Sequence, residues 1–549
     1  MNLDHLSEAH GTRFGRARGF TIQTMLLLPL LFVVLFSSGF VPNTDDGKTD
    51  DATTDTVIGI EGAAHLFGRT TFGAPLQQLQ QFAPLNRNEA VEKLLATLAT
   101  QSVTPLPKWA PMLPVDVIEQ RGKTEESRKA FQRKSRRWQA ELRTWWAREL
   151  ISSPSPLTER LVLMWHGHFT SEMRKVRSAQ AMLRQNQMFR RLGSGDFRIL
   201  LHEVALDPAM AIYLDTRRST RMKPNENFAR ELLELYGLGE GNYTEDDIKE
   251  AARAFTGYRI DTRTGSLRKV PRRHDPGEKS VLGSTGRLGA KEVVDAVLAQ
   301  SACPRWISRR FWIEFVSPTP DDTVIEKWAQ ALVKNDWQLK SLLRTVLISD
   351  AFWAQENRGS LVKSPVDLVI GTIRSLQLEQ APAGQALRII GRLGQQLFDP
   401  PNVAGWPGGE QWIDATTLLG RRRFLSTELQ EISILSMMKF DPGSVTDRAT
   451  PAPQEPEMDP EMDPEMAPEM VMAREMPKRV NRRDRRRHLP AVVRKYQQLW
   501  NHLGDDAMAR MSQLQAWLLP LEPVGEISDS PAIQARLGSI LLDPTYQLK

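Results

Sequence analysis

The chain has 549 residues, 72 Lys and Arg against 66 Asp and Glu, a formal net charge of +6 and 41% hydrophobic residues. Its apolar content supplies a real core, and its length suits either two to four average domains or one large helical domain. The single cysteine, Cys303, excludes intramolecular disulfides and a four-cysteine zinc site. The basic balance raises nucleic acid or an anionic surface as partners. The clusters that carry it, Arg121 to Arg148 and Lys478 to Arg487, read more simply as a solvated helix face and a charged linker.

At the amino end Arg13, Arg16 and Arg18 precede an apolar run from Met25 to Phe36, MLLLPLLFVVLF. The run has the length of a signal-peptide core. Extended to Val41 it reaches about 17 residues, the lower bound for a spanning helix. Asp45, Asp46, Asp50, Asp51 and Asp55 follow it. Cations before and carboxylates after keep the amino end inside and export the rest. Residues 1–41 are therefore a signal peptide or an N-terminal membrane anchor, with 20–41 as the anchoring part if uncleaved. Residues 42–57 form an acidic spacer, too poor in apolar groups to fold. Export to the periplasm or cell envelope argues against a nucleic-acid partner.

Residues 58–440 read as the main helical domain. Apolar spacing near 3.6 predicts helices over Leu79–Leu98, Arg128–Leu150, Thr323–Val333 and Leu339–Ile348. Ser155 followed by Pro156 marks a helix start, as does the box-like TEDD at Thr244 to Asp247. Residues 262–283 differ: Gly265, Pro271, Pro276 and Gly277, with Gly283 just after, punctuate short extended runs, which predicts a small β-hairpin or irregular insert. The fold class is thus mainly α with one small β insert. The strings VALDPAM (204–210), VLISDAF (346–352) and ILLDPTY (540–546) each close an apolar helix at Asp or Ser. A repeated unit and a common helix-stop grammar both explain them. Cys303 lies in an apolar context and reads as a small buried residue. Prolines every fourth residue from Glu457 to Pro468 forbid a helix, so 441–489 is a low-complexity insertion, and 490–549 forms C-terminal helices that pack on the main domain.

Candidate chemistry sits in three places. His166-Gly167-His168 follows a helix predicted to end at Trp165. On a helix, residues i and i+2 point about 200° apart, so the pair shares a divalent metal only if Gly167 breaks the helix. Glu231, Asp215 or His274 are available as a further ligand. His274 and Asp275 lie in the non-helical insert, where a carboxylate can orient an imidazole as a general base. Asp275 before Pro276 reads equally as a turn former. Asn227, Glu231 and Glu234 fall at i, i+4 and i+7, one polar stripe on a helix started by Asn225 and stopped near Gly237. Arg230 can bridge Glu226 and Glu234 as a structural ladder, leaving Glu231 as the stripe's candidate catalytic group. DPPNVAGWPGGEQW (399–412) adds a rigid loop with two tryptophans, suited to helical packing or to binding a sugar ring or a partner. His166, Glu231 and His274 are expected to face a common cavity.

Eight ordered stretches resemble one family, the bacterial domain-of-unknown-function 1800 proteins. They are AAHLFGRTTFGA (63–74), MWHGHFTSEMRKV (164–176), MLRQNQMFRR (182–191), DPAMAIYLD (207–215), PNENFARELLELYGLGEGNYTEDDIKEAARAFTGY (224–258), RRHDPGEKSVLG (272–283), LVKSPVDLVIGTIRSL (361–376) and FDPPNVAGWPGG (398–409). The resemblance implies a largely helical, mostly exported protein without a settled activity, often encoded beside a sulfatase-like companion. That family usually carries Asn where this chain has Gly167. Two functions remain open on the sequence: a metal-assisted, hydrolase-like envelope enzyme using His166, His168, Glu231, His274 and Asp275, or a non-catalytic binding or assembly factor acting with an envelope partner.

Overall fold

The structure is a computed structural model that describes residues 56–112, 124–261, 263–439, 482–503 and 506–549. The expected signal peptide or anchor, the acidic spacer to residue 55 and most of the low-complexity insertion lie outside the described residues. The described residues cluster as one unit. It is mainly α, and among the described residues its sheets are two short hairpins.

Local chemistry sets the boundaries. At Thr244 the hydroxyl accepts from Asp247 N (3.1 Å) while Asp247 Oδ2 accepts from Thr244 N (2.9 Å), and this reciprocal cap starts the helix Glu245–Ala254. Ser364 and Asp367 cap the helix Pro365–Ser375 in the same way. Ser155 stands before Pro156 as expected, but its hydroxyl bonds the Thr158 hydroxyl (2.6 Å) rather than a backbone amide. The helix expected over Leu79–Leu98 is two, Leu76–Phe82 and Arg87–Leu95. Pro84 cannot continue the first, and Asn86 caps the second, accepting from Glu89 N at 3.0 Å.

The β structure is two hairpins that reach a few residues beyond the expected 262–283 on each side: β1 (Tyr258–Ile260) pairs antiparallel with β2 (Leu267–Lys269), and β3 (Lys279–Val281) with β4 (Ser284–Gly286). The three strings that resemble one another are corners. Asp207, Ser349 and Asp543 each follow a helix and cap a further short turn, accepting from Met210 N (2.8 Å), Phe352 N (3.3 Å) and Thr545 N (2.9 Å).

One apolar core runs from Ala63 to Tyr546. The carboxyl-terminal residues are built into it. Helix Arg482–Asn501 packs on Leu429–Lys439, where the Ser433 and Tyr496 hydroxyls meet at 2.8 Å. That helix starts eight residues before the expected boundary at 490 and continues through that position. Helix Ala507–Leu518 lies on Gly59–Thr70, with Trp517 Nε1 donating to Ala74 O at 2.9 Å. Finally, Lys363 N donates to Gln547 O (2.7 Å) and Lys549 N to Leu361 O (2.8 Å). Cys303 is buried, as read from its context. No helix among the described residues is long and apolar enough to cross a membrane.

The Trp517 contact yields a test. Trp517→Ala removes a buried ring and its bond, and is expected to destabilise the fold by about 3–5 kcal/mol, measured as a shift in the urea midpoint.

Candidate functional site

The helix Pro156–His168 runs without a break through Gly167. His166 and His168 therefore point to different surroundings, and the structure does not bring them together as metal ligands. His166 sits among Trp146, Phe189 and Phe398, with ring centroids 4.8–5.2 Å away, and its Nε2 meets Asn186 Nδ2 at 3.1 Å. The same asparagine accepts from Arg190, whose guanidinium grips Glu159 with two bonds of 2.8 Å. His168 packs against Trp165, Phe169 and Tyr236, and its Nε2 donates to Tyr236 O at 3.1 Å. Burial pushes both imidazoles down to about 3, helped by Arg190 for His166 and by Arg310 for His168. Both are neutral core residues with hydrogen bonds to protein groups. Among the described residues no cluster of three His, Cys, Asp or Glu is positioned to hold a metal.

Glu231 ends the α-helical turn Asn227–Glu231, and residues Leu232–Leu238 wind on as a π-helix. The wider turn moves Glu234 off the expected stripe. Its carboxylate accepts from Tyr243 OH (3.0 Å), and Arg230 pairs with Glu245 (2.8 Å) and Glu226 (3.5 Å). Glu231 is half-buried, and burial, then Glu234, raises its carboxyl. His274 is fixed by Nδ1–H donation to Thr256 O at 3.0 Å. Asp275 does not orient it. Asp275 accepts from Arg253 Nε and Gly277 N, both at 2.8 Å, and shapes the turn at Pro276. Asp215 pairs with Lys175 (3.3 Å) and Arg218 (3.3 Å). The structure gives His166, Glu231 and His274 no shared hydrogen-bond partner: His166 meets Asn186 and His274 meets Thr256, and the cavities of about 440 and 470 Å³ are lined by none of the three.

A different site is present. A cleft of about 440 Å³ is walled by Trp306, Trp406, Trp412, His168, Arg310 and Glu314, with Arg160, Asp367 and Lys549 among its lining. The Trp406 indole N–H is buried there without an acceptor. Gly405, at φ +95°, lays its Cα on the carbonyl of Gly167, where any Cβ would overlap. A Cβ on Gly167 would instead face the cleft, 3.8 Å from the Trp406 ring. Behind the cleft lies a second cavity of about 470 Å³, lined by His65, Lys363, Tyr546, Asp367 and Lys549. Asp367 and Lys549 thus stand between the two.

The partition is strongly charged. Asp367 accepts from Lys549 Nζ (2.9 Å) and forms a close ion pair with Arg160. Burial alone would raise its carboxyl, but Arg160 and Lys549 hold it well below the usual range. Lys363 is half-buried by area, yet its ammonium lies 3.8 Å from the Tyr546 ring centre and donates to Tyr546 O at 2.7 Å. Burial pushes it down to about 7 against the pull of Asp367. Arg69 and Arg421 are fully buried, and burial lowers them to about 9 and about 10.

The signal for this site was in the sequence. Arg69, Arg160 and Arg421 occupy helix positions otherwise taken by core residues, in HLFGRTTF, TERLVLMW and LLGRRRF, and Lys363 and Asp367 share the stretch LVKSPVD. A cation in the apolar phase of a helix is unusual enough to mark a buried charge.

Two outcomes follow from these environments. His65, like His166 and His168, is pushed by burial to about 3. Below pH 6.5 the unfolded chain takes up three protons that the folded one refuses, so stability falls as pH drops from about 6.5 toward 3, by up to about 1.4 kcal/mol per pH unit for each histidine. Asp207, raised by burial to about 7, acts in the opposite sense over pH 7 to 4, one group against three. Urea midpoints collected from pH 7 to pH 4.5 should therefore fall steadily. The glycines give the second outcome. Gly167→Ala is expected to stabilise by about 0.5–1 kcal/mol as a helix substitution, whereas Gly405→Ala should destabilise by more than the about 1–3 kcal/mol of strain at positive φ, because its Cβ also overlaps the Gly167 carbonyl, both read by chemical denaturation.

No curated protein and no solved structure matches the chain. A family model described as "Protein of unknown function (DUF1800)" matches residues 65–548, nearly the whole described chain. These residues include every part of the cleft except Lys549. The chain belongs to the DUF1800 family.

Proposed function

We propose that the protein is an exported, non-catalytic binding factor of the cell envelope, and that the cleft between Trp306 and Trp406 is its ligand site. The observation that carries this reading is the Trp406 indole: a buried N–H with no acceptor, on a side chain that lines a cavity together with Trp306, Trp412, Arg310, Glu314 and several aliphatic groups. An unsatisfied buried donor is costly, and a ligand oxygen would satisfy it. Flat aromatic faces beside polar groups suit a sugar ring, so the ligand class is a saccharide of the envelope. The hydrolase-like alternative loses its metal support, because His166 and His168 diverge on one helix and are spent on Asn186 and Tyr236. The charge order at the amino end supports export, and the family resemblance supports an envelope partner such as a sulfatase-like companion.

Trp406→Ala should weaken binding of soluble envelope oligosaccharides to the full chain by at least tenfold, and Gly167→Asn should do the same by filling the cleft, read by calorimetry. Ligand should be recovered intact. Cleavage of the ligand that Glu231→Gln abolishes would restore the enzyme reading. A reporter active only outside the cytoplasm, fused after Asp55, should give signal, and a silent one beside an active cytosolic reporter removes export from the proposal.

A further inference from the structure

The partition between the two cavities holds more positive charge than its own carboxylates can balance. Arg69, Arg160, Lys363, Arg421 and Lys549 all lie close enough to feel the charge of Asp367. Among the described residues, Asp367 is the buried side-chain carboxylate whose charge all five feel. Glu314 lies 3.6 Å from Arg160 but is engaged by Arg310 at 2.9 Å. Even with Glu314 counted, and without adding its partner Arg310, the five cations outnumber the carboxylates.

The hydrogen-bond inventory is unbalanced in the same direction. Carbonyl oxygens of Thr71, Val316, Asn357 and Lys363 already receive the guanidinium N–H groups of Arg160, Arg69 and Arg421. Gln547 Oε1 takes another from Arg421 at 3.0 Å. After this the Nε–H groups of Arg69, Arg160 and Arg421 still have no acceptor. Arg160 is 2% exposed and lines the cleft beside Lys549. Arginine is the side chain suited to a planar or tetrahedral oxyanion, because its fork offers several fixed donors. Burial without enough counter-charge also explains why Lys363, Arg69 and Arg421 lose proton affinity.

We infer that the cleft floor is an oxyanion seat, in which Arg160 and Lys549 receive a carboxylate, sulfate or phosphate group carried by the ligand. This rests on the reading that the cleft binds a ligand, and it narrows the saccharide to an acidic one. Asp367 then acts as the fixed internal counter-ion that keeps Arg160 and Lys549 in place while the seat is empty. Lys363, Arg69 and Arg421 supply a positive field from behind.

The test uses the full chain, with thermal unfolding and tryptophan fluorescence as readouts. Sodium sulfate, inorganic phosphate, acetate and glucuronate are titrated against sodium chloride at matched ionic strength, with glucose as the neutral control. Saturable stabilisation by the oxyanions, absent with chloride and strongest for glucuronate, is the expected result. Lys549→Met should raise the midpoint concentration at least tenfold, and Lys549→Arg should restore it. Lys549 is preferred for this test because Arg160→Met risks the fold itself. Equal responses to oxyanions and chloride, or an unchanged midpoint in Lys549→Met, overturn the seat. Binding of neutral saccharide that depends on Trp406 but ignores oxyanions leaves the cleft reading standing and removes the seat alone. A response to sulfate and phosphate that exceeds glucuronate, and is unaffected by Trp406→Ala, makes the site a receptor for free inorganic anion and removes the saccharide.

Discussion

The carboxylate of Asp367 is the constraint on which this architecture turns. It sits in the first turn of the helix Pro365–Ser375, where backbone amides and the helix dipole favour negative charge. It closes the cap with Ser364, and it also holds Arg160 from the helix Pro156–His168 and Lys549 from the far end of the chain. Three segments separated by some two hundred residues each are thus tied to one charge. A buried ion pair contributes little net stability compared with apolar packing, but loss of one member leaves the others uncompensated. The geometry around both cavities is therefore specified by a group that hydrophobic packing alone would not require.

The same logic recurs at Glu159. Its two oxygens take the Arg190 guanidinium, and the Trp146 indole adds a third bond at 3.1 Å. Arg190 passes the order on to Asn186 and so to His166. That chain of satisfied bonds explains why a His-Gly-His string, so suggestive of a metal, is core structure. The rings fill space among aromatic side chains, and their polar atoms are spent within the protein.

Fold class and many element ends were legible because they rest on short-range chemistry. The helical periodicity, the Thr244–Asp247 cap and the Gly- and Pro-punctuated hairpins β1–β2 and β3–β4 depend on residues within a few positions of one another. The candidate site was not legible for two reasons. Reading Asn227, Glu231 and Glu234 as one stripe assumes 3.6 residues per turn, and the π-helix at Leu232–Leu238 breaks that assumption after Glu231. The cleft draws on helices and loops from Arg160 to Lys549, and no local pattern reports which distant side chains converge. What the sequence did carry was a set of arginines in apolar helix phase, a sign of buried charge that has no period and is found only residue by residue.

The wall between the two cavities is a long-range product of the fold. Arg160 reaches it from one helix, Asp367 from the first turn of another, and Lys549 from a segment joined by backbone bonds to Leu361 and Lys363. No single segment carries the wall. Local opening at residues 547–549 therefore removes one of the two cations that Asp367 holds directly and alters both cavities at once, so a small disturbance at one place is felt on two faces of the protein.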